Sequence, residues 1–494
     1  MQTAKLLQKE VENLKRVIEQ KDSQLEQKNQ YIKNLESTLI DFKKNRFGSK
    51  SEKVNDKQLP LFNEVEVISD TKVPNKAKKS KKKTGTRKAL PKELERIENI
   101  HDLDKDLKTC PNDGTSLKHI GEVVTEELFL VPAVVKVIKH KQYKYVCPCC
   151  HKHVALAKKP KAIIPKSIAT PELLSYICVS KYADSLPLYR LSSMFKRIEV
   201  KISRQIMANW MLACAKTIQP LINLIRDELY KQPCIHIDES PIQVLKETGK
   251  KASTKSYMWV QRAGNNILFN YYPTRSSDEI EKLLADYDGA VMSDGYPGYD
   301  ATAEKFKIIH LACWVHARRY FIKVIDNGEN LNAQKMITLI GKLYAIEKQI
   351  KTFKADKIYL HRQEHSKPIL DEIRQFLDEI LHKTAPSGVM GKALKYLSNQ
   401  WPKLVKYIEN GNYPIDNNAA ENAIRPFVIG RKNWLFANTP KGAHASANLY
   451  SIIETAKAHG INPQEYLGYI FKKLPLVETV DDYEKLLPWN FKTL

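Results

Sequence analysis

Residues 234–326 alternate strand-like and helix-like runs in an order that few folds allow. CIHIDESPIQVL, SYMWVQR and NILFNYY are consecutive β-rich runs separated by polar turns. SSDEIEKLLADY then reads as a helix capped by Ser276 or Ser277, GAVMSDGY as a strand, and FKIIHLACWVHARRYF as a strand that runs into a helix. Three antiparallel strands, a helix, a strand, then a strand and a helix is the order of an RNase H-like α/β domain, which we place at residues 231–326.

Two aspartates lie on strands of this predicted domain. Asp238 lies in the first strand and Asp294 at the end of the fourth. In an RNase H-like sheet these two strands are neighbours, so the carboxylates are expected to meet. Mg²⁺ prefers a few carboxylates with water and phosphate oxygens, and a pair of such ions can activate an attacking oxygen and stabilise a leaving one.

A third acid must complete such a site, and Glu421 is the candidate. It lies in PIDNNAAENAIRPFVIGRKNW, where Asp416, Asn417 or Asn418 can cap a helix that carries Glu421 in its first turns. Acids at strand ends are ordinary, so spacing alone leaves this triad as one reading among several. Nearby acids that we interpret as solvated or capping are Glu239, Asp278 and Asp300.

The chain between the second and third acids is helical in pattern. Stretches such as NAQKMITLIGKLYAIEKQIK and SKPILDEIRQFLDEIL carry apolar residues at helical spacing and contain no strand-like run. We therefore expect an all-α insertion over residues 327–413. The catalytic domain resumes over residues 414–465, with the helix that carries Glu421, and residues 466–494 form a C-terminal segment.

The N-terminal residues carry a heptad pattern. One series of seam positions is Val11, Ile18, Leu25, Ile32 and Leu39, and the other is Leu7, Leu14, Lys21, Lys28, Leu35 and Phe42. Nearly all are apolar, which predicts a coiled-coil oligomerisation helix over residues 1–48 and hence a homo-oligomer. The alternative is a single amphipathic helix that packs on its own chain.

The chain is strongly basic. It has 80 Lys plus Arg against 56 Asp plus Glu, a formal net charge of +24. Such an excess indicates a polyanionic partner, and double-stranded DNA is the first candidate because neutralising phosphates releases counterions. The run PNKAKKSKKKTGTRK concentrates this charge and predicts a basic disordered linker over residues 49–91.

The same composition argues against a membrane partner. No apolar run approaches the roughly 20 residues needed to span a bilayer, and the N-terminus lacks a signal-peptide core. The eight cysteines, three of them in VCPCC, indicate metal ligands in a reducing compartment. A soluble, cytoplasmic protein is expected.

Two cysteine-bearing turns, CPNDG and VCPCC, flank alternating strand-like residues and predict a zinc-ribbon-like β module over residues 92–160. Cys147 and Cys150 have C-x-x-C spacing and Cys110 supplies a third thiolate, but the position three residues later is Asp113. Asp113 can ligate through oxygen, Cys149 can substitute for it, or the site holds no metal. One Zn²⁺ is therefore an open expectation.

Residues 161–230 read as short helices with a helix-turn-helix-like arrangement. Thr170-Pro171 begins the first helix, and Ser203 caps the last, whose apolar face carries Ile206, Trp210 and Met211. Its outward polar side chains suit a DNA groove, although any small helical bundle shows such faces. The candidate DNA contacts in this module are Arg190, Ser203, Arg204 and Gln205.

Taken together, these segments resemble a transposase of the insertion-sequence sixty-six family, a branch of the DDE transposases. The resemblance includes RFGSKSEK, QLPLFNE, the CPNDG and CPCC pair, KYADSLPLYRL, HIDESPIQVL and SDGYPGY. It continues with CWVHARRYF, PIDNNAAENAIRPFVIGRKNWLF, SIIETAKAHGINPQEYL and LPWNF. Each string is modest, but their order covers nearly the whole chain.

The resemblance implies a catalytic triad of Asp238, Asp294 and Glu421 that holds two Mg²⁺ or Mn²⁺ ions. It implies that Cys313 and His316 support the active site, with a zinc-ligand role as the alternative. The ribbon and helix-turn-helix modules are then the DNA-recognition elements. Small accessory proteins from the same element are further candidate partners, and a bacterial, nucleoid-associated location is expected.

The expected activity is cleavage at the ends of an insertion sequence and strand transfer into target DNA. Arg425, Arg431 and Lys432, which follow the third acid, are candidates for holding scissile phosphates, with a solvated basic face as their alternative. The competing functions are a catalytically inactive DNA-binding protein derived from a transposase and an RNase H-like nuclease that cleaves without joining. Two residues depart from the family pattern: Asp113 stands where cysteine is usual, and Glu199 where a small turn residue is usual.

Overall fold

The computed structural model describes residues 10, 12–26, 28–29, 32, 98, 116, 135–146 and 154–491. The chain divides into two compact units, residues 73–160 and the remainder. In the first unit, strands β1 (Lys144–Val146) and β2 (Val154–Leu156) pair antiparallel, with Tyr145 opposite Ala155. The predicted zinc ligands Cys110, Asp113, Cys147 and Cys150 lie outside the described residues, as do the linker 49–91 and Cys149.

The N-terminal heptads are helical where the structure describes them. Residues 12–26 form a helix. The seam residues Leu14, Ile18 and Leu25 are 57%, 58% and 57% exposed in the single chain. The homo-oligomer that would cover them stays a prediction.

Four helices precede the sheet: α1 (Pro171–Tyr182), α2 (Leu188–Arg197), α3 (Arg204–Thr217) and α4 (Gln219–Tyr230). Both predicted caps are confirmed. The Thr170 hydroxyl accepts from the Leu173 N–H at 3.3 Å, and the Ser203 hydroxyl accepts from the Ile206 N–H at 3.2 Å. The predicted apolar face of α3 is wrong at one position, because Ile206 is 41% exposed and Met207 is the buried residue.

The turn between α2 and α3 closes with Glu199 in the left-handed region, at φ 64°. The Glu199 N–H donates to the Lys196 carbonyl at 3.1 Å, and the Val200 N–H donates to the Phe195 carbonyl at 3.0 Å. These two bonds are a Schellman motif, in which the left-handed position is usually glycine. The departure at Glu199 therefore leaves the turn intact and places a side chain in a strained backbone conformation.

The catalytic-domain sheet is mixed, with order β5-β4-β3-β6-β7 and β8 pairing with β3. Its strands are β3 (Cys234–Val244), β4 (Lys255–Ala263), β5 (Asn266–Tyr272), β6 (Ala290–Ser293), β7 (Ile309–Ala312) and β8 (Phe436–Ala437). β4 is antiparallel to β3 and β5, whereas β6 is parallel to β3 and β7. This order is consistent with an RNase H-like fold, and the predicted adjacency of β3 and β6 is confirmed.

Helices α5 (Ser277–Leu284), α6 (Gly298–Phe306) and α7 (Trp314–Asp326) connect and follow these strands. Helices then continue as α8 (Leu331–Ile350), α9 (Ala355–His361), α10 (Lys367–Leu381) and α11 (Val389–Leu404). A π-helical turn, Arg362–Ser366, joins α9 to α10, and a 3₁₀ turn, Val405–Glu409, follows α11. Buried side chains of α8, α10 and α11 share one core with β6, β7 and α7, so this segment packs as part of the domain.

A second core joins α1–α4 to the other part of the sheet and to the C-terminal helices. These helices are α12 (Asn418–Trp434), α13 (Pro440–Ala458), α14 (Pro463–Lys473) and α15 (Val480–Glu484). α13 lies on β5, where the Ser451 hydroxyl accepts from the Phe269 N–H at 2.7 Å. Across the described residues, every helix is too short or too polar to cross a bilayer.

Glu199→Gly is expected to raise the free energy of unfolding by about 1 kcal/mol, because glycine adopts the left-handed conformation without the steric cost of a Cβ. Urea unfolding followed by circular dichroism measures the change. Glu199→Ala is the matched control, since alanine keeps the Cβ and should give no comparable gain. Equal stabilisation by both variants would contradict the strain at this turn.

Candidate active site

The register of β3 and β6 brings the two aspartates together. His236 pairs with Met292 in the parallel ladder. Asp238 and Asp294 each lie two residues beyond this pair, Asp238 within β3 and Asp294 directly after the end of β6. Among the described residues, β3 has no strand partner from Ile237 to Ile242 on the edge that faces β6, and it next pairs with β8 at Gln243 and Val244. Asp238 therefore lies between two pairing segments, on a stretch of the β3 edge that remains open toward Asp294.

Glu421 reaches this edge from the first turn of α12 and is buried, with 4% exposure. Asn417, the residue directly before α12, fixes the start of this helix. Its side-chain amide donates to the Ile237 carbonyl at 2.8 Å, its Oδ1 lies 3.2 Å from Nδ1 of His236, and its backbone N–H donates to Cys313 Sγ at 3.2 Å. These contacts tie the helix of the third acid to the strand of the first.

Asp416, the residue before the N-cap Asn417, accepts hydrogen bonds at the start of α12. Its Oδ1 accepts from the Asn418 N–H at 3.0 Å and its Oδ2 accepts from the Asn418 side-chain amide at 3.1 Å. Burial raises the pKa of Asp416 to about 6 against the lowering effect of the Asn418 bond.

Burial and neighbouring carboxylates together set the electrostatics of the site. Burial raises the pKa of Asp238 well above its usual range, and the charges of Glu239, Asp294 and Glu421 raise it further. Burial likewise raises the pKa of Glu239 to about 7, although the positive charge of Arg275 opposes this. Carboxylates so close disfavour one another's ionised form, and a bound cation would relieve that repulsion.

Two arginines partly balance these charges. Arg319 donates to both oxygens of Glu421, with Nη2 2.7 Å from Oε2 and Nη1 3.4 Å from Oε1. Arg275 forms an ion pair with Glu239 and lies 3.5 Å from Oδ2 of Asp294. Its guanidinium also stacks on the Tyr296 ring, 3.7 Å from the centroid.

Cys313 and His316 also converge on the site. Cys313 immediately precedes α7, and His316 lies in its first turn. Their ligand atoms and a carboxylate oxygen of Glu421 lie within 4.8 Å of one another. Burial lowers the pKa of His316, although Glu421 raises it, and burial raises the pKa of the Cys313 thiol. Both the supporting role and the zinc-ligand alternative for Cys313 and His316 remain predictions.

The helical insertion holds the loop of the second acid. Tyr396 Oη donates to the Asp294 carbonyl at 2.8 Å, and Gln400 Nε2 donates to the Gly295 carbonyl at 3.2 Å. Gly295 has φ 85°, and a Cβ there would lie 2.8 Å from Gln400 Oε1. Only glycine fits between this turn and α11 without rearrangement.

One sequence interpretation needs correction. Glu239 is neither solvated nor a cap, because its side chain is 5% exposed, pairs with Arg275 and accepts from the Tyr299 hydroxyl at 3.1 Å. Asp300, in the first turn of α6, is partly exposed; its carboxylate forms an ion pair with Lys403 and lies 2.8 Å from Nδ1 of His310. Arg431 is half-buried and donates to the Pro241 carbonyl, which ties α12 to β3 and leaves Arg425 and Lys432 as the exposed cations of this helix.

The site residues that sequence reasoning missed are Glu239, Arg275, Arg319, Tyr396 and Asn417. A signal existed for Arg319, because it follows His316 by three residues and so shares its helix face. A signal also existed for Asn417, because it was one of the three candidate caps of the helix that carries Glu421. Arg275 and Tyr396 meet the acids only through tertiary packing.

The candidate DNA contacts of the helical module lie on or beside α2 and α3, which precede the sheet in sequence. Arg204 and Gln205 are exposed at the start of α3, and Arg190 is exposed on α2, where its Nε donates to the Tyr189 hydroxyl at 3.2 Å. The Ser203 hydroxyl is engaged in capping. Asp278 is exposed in the first turn of α5, as expected.

The donor set fits hard divalent cations. Asp238, Asp294 and Glu421 offer carboxylate oxygens from three elements, and the charges of Asp294 and Glu421 act on the buried Asp238 carboxyl. Mg²⁺ and Mn²⁺ favour such oxygen ligands.

Comparisons with known proteins agree with this geometry. The family model described as Transposase IS66 family matches residues 166–445, and the IS66 C-terminal element matches residues 451–489. The zinc-finger binding domain of transposase IS66 matches residues 108–151, and the model described as Transposase C of IS166 homeodomain matches residues 34–98. The family therefore accounts for most of the chain.

Relatives among curated proteins include three from Sinorhizobium fredii. Uncharacterized protein y4qI is 30% identical over 94% of this chain and 90% of its own length. Uncharacterized proteins y4jD and y4hP are 27% and 26% identical, over 82% and 83% of this chain and 81% and 78% of their own lengths.

Asn417→Ala is expected to lower the free energy of unfolding by about 1–3 kcal/mol, because it leaves the buried Ile237 carbonyl without its donor. Urea unfolding measures the loss. Asn433→Ala, at an exposed position of the same helix, is the control and should change stability little. Equal effects of the two substitutions would remove the bridging role of Asn417.

Proposed function

Because the chain belongs to the IS66 family of transposases, we propose that it cuts insertion-sequence ends and joins them to target DNA at Asp238, Asp294 and Glu421. The observation that carries this proposal is the placement of Asp238 on β3, Asp294 directly after the neighbouring strand β6, and Glu421 in the first turn of α12, with the charges of Asp294 and Glu421 acting on Asp238. The order of the sheet is that of enzymes that act on phosphodiester bonds with paired metal ions.

In this proposal the three acids hold two Mg²⁺ or Mn²⁺ ions. When bound, such ions activate the attacking oxygen and stabilise the leaving one. Asp238 and Asp294 present their oxygens from adjacent strands, and Tyr396 keeps the Asp294 backbone in place. Cys313 and His316 pack beside Glu421 and limit its movement.

The same active site would perform both steps. Water is the nucleophile in hydrolysis of the element end, and the freed 3′-hydroxyl is the nucleophile in strand transfer. Neither step requires a covalent bond between protein and DNA, because no side chain has to serve as the attacking group.

The exposed face of α12 gives the DNA a path to this edge. At 3.6 residues per turn, Arg425 and Lys432 lie about 40° and 20° around the helix from Glu421. Both are exposed. Cations on the face that carries the third acid suit phosphates next to the scissile bond. Arg190, Arg204 and Gln205 would contact DNA further away, with the ribbon, and the N-terminal helix would join copies of the chain.

Asp238→Ala is expected to reduce cleavage and strand transfer of labelled element-end DNA in Mg²⁺ to the level without protein, because it removes a metal-binding carboxylate. Thermal stability should not fall, since the substitution removes one of several repelling acids. Asp278→Ala, an exposed acid of α5, is the control. Undiminished cleavage by Asp238→Ala would refute the triad.

The products distinguish the remaining functions. Joined 3′ ends support a transposase, whereas cleaved but unjoined ends support a nuclease. Specific binding of the ends without either product supports an inactive DNA-binding protein.

For the zinc-finger domain we propose a ligand set of Cys110, Asp113, Cys147 and Cys150, all within the matched residues 108–151. Carboxylate oxygen can complete a zinc site, but thiolate suits zinc better in structural ribbons. The site is therefore expected to hold zinc more weakly than a four-cysteine ribbon.

Asp113→Cys is expected to increase the zinc that the full-length protein retains after dialysis against a chelator, because a fourth thiolate replaces a carboxylate. Elemental analysis measures zinc per chain. Cys147→Ser should lose zinc under the same conditions. If the original protein and Cys147→Ser retain the same amount, zinc is not held at this ligand set.

A further inference from the structure

The contact between Arg319 and Glu421 places a cation on the third acid. Both oxygens of Glu421 accept from the guanidinium, at 2.7 and 3.4 Å. The Glu421 side chain is 6% exposed and that of Arg319 is 24% exposed. A planar guanidinium that meets both oxygens of a buried carboxylate makes a strong, directional contact.

This contact uses the atoms that the proposed function needs. Each carboxylate oxygen that accepts an N–H has one of its two lone-pair sites engaged by that donor. A divalent cation placed on those oxygens would also lie beside the positive guanidinium, which disfavours binding. Arg319 and a metal ion are therefore alternative partners of Glu421.

The charges of the whole cluster lead to the same conclusion. Among the described residues, the cluster joins four carboxylates, Asp238, Glu239, Asp294 and Glu421, with two guanidiniums, Arg275 and Arg319. Arg275 keeps Glu239 as its partner, because Glu239 is not among the three acids proposed to hold metal. Two divalent cations at the other three carboxylates would repel Arg319 from Glu421, and a DNA phosphate is the anion that the proposed reaction brings to this edge.

We propose that Arg319 competes with a divalent cation for Glu421 and moves to a DNA phosphate when the cation binds, so that metal loading and DNA binding favour one another. The proposal rests on the proposed function and adds a regulatory step to the same site. Without DNA, Arg319 lowers the affinity for metal. With DNA, the phosphate draws Arg319 away and the affinity rises, and by reciprocity metal strengthens the binding of DNA.

A purely structural ion pair would behave differently. If Arg319 only held α7 against α12, its loss would lower stability without making the acids better metal ligands. Metal affinity in the absence of DNA therefore separates the two roles, and it does not depend on activity.

The test measures Mn²⁺ binding to the full-length protein by electron paramagnetic resonance, with and without a DNA duplex that carries the element end. Without DNA, Arg319→Gln should bind Mn²⁺ about tenfold more tightly than the original protein, which corresponds to the loss of one competing charge-assisted contact. Adding DNA should raise the affinity of the original protein by a larger factor than that of the variant. Unchanged or weaker Mn²⁺ binding by folded Arg319→Gln would overturn the proposal.

A matched control and a second variant complete the design. Arg374→Gln removes an arginine that pairs with Asp378 on the exposed face of α10. It should leave Mn²⁺ affinity unchanged. Asp238→Ala should lose Mn²⁺ binding. If Asp238→Ala keeps the original affinity, the proposed metal site itself fails. If Asp238→Ala loses binding and Arg319→Gln gains none, only the competition fails.

Discussion

The parallel pairing of β3 with β6 is the constraint on which the candidate site depends. It aligns His236 with Met292 and so brings Asp238 level with Asp294, from segments distant in sequence. A slip of one residue in this register would turn Asp238 to the opposite face of the sheet. The carboxylate pair therefore follows from how the buried residues of both strands pack, and the remaining parts of the site are arranged around it.

Bringing several carboxylates together beside β3 lowers the free energy of unfolding through their mutual repulsion. Neighbouring guanidinium and hydroxyl groups offset part of that repulsion. Arg275 pairs with Glu239 and approaches Asp294, Arg319 engages Glu421, and the Tyr299 hydroxyl donates to Glu239. Burial is the main cause that raises the pKa of Asp238, and the neighbouring carboxylates raise it further. A cation bound beside these acids would favour their ionised forms.

The sequence predicted what strand order and helix periodicity determine. The adjacency of Asp238 and Asp294 followed from the succession of strands and helices, and the caps at Thr170 and Ser203 followed from local chemistry. Glu421 was different: local pattern left it among several acids, and only the family resemblance selected it. Its partners Arg319 and His316 lie on another helix, so their meeting depends on tertiary packing.

The error at Glu239 has an identifiable physical cause. Glu239 was interpreted as solvated or capping because acids at strand ends are ordinary. Here β3 is central, and Tyr299 of α6 covers the Glu239 side. Arg431 was chosen as a phosphate ligand because it follows the third acid; its bond to the Pro241 carbonyl leaves that role a prediction.

The helical segment between the second and third acids positions them as well as connecting them. Its side chains share a core with β6, β7 and α7, which is not the packing of a separate lid. Near its end, Tyr396 and Gln400 hold the Asp294 turn. Just beyond it, the Ile415 carbonyl accepts from the Trp314 N–H at 3.2 Å, beside the Cys313 sulfur that receives the N–H of Asn417. The same packed body thus sets the backbone of Asp294 and the start of the helix that carries Glu421. Loosening α11 should therefore displace two acids together, and for this reason we treat the insertion as part of the candidate site.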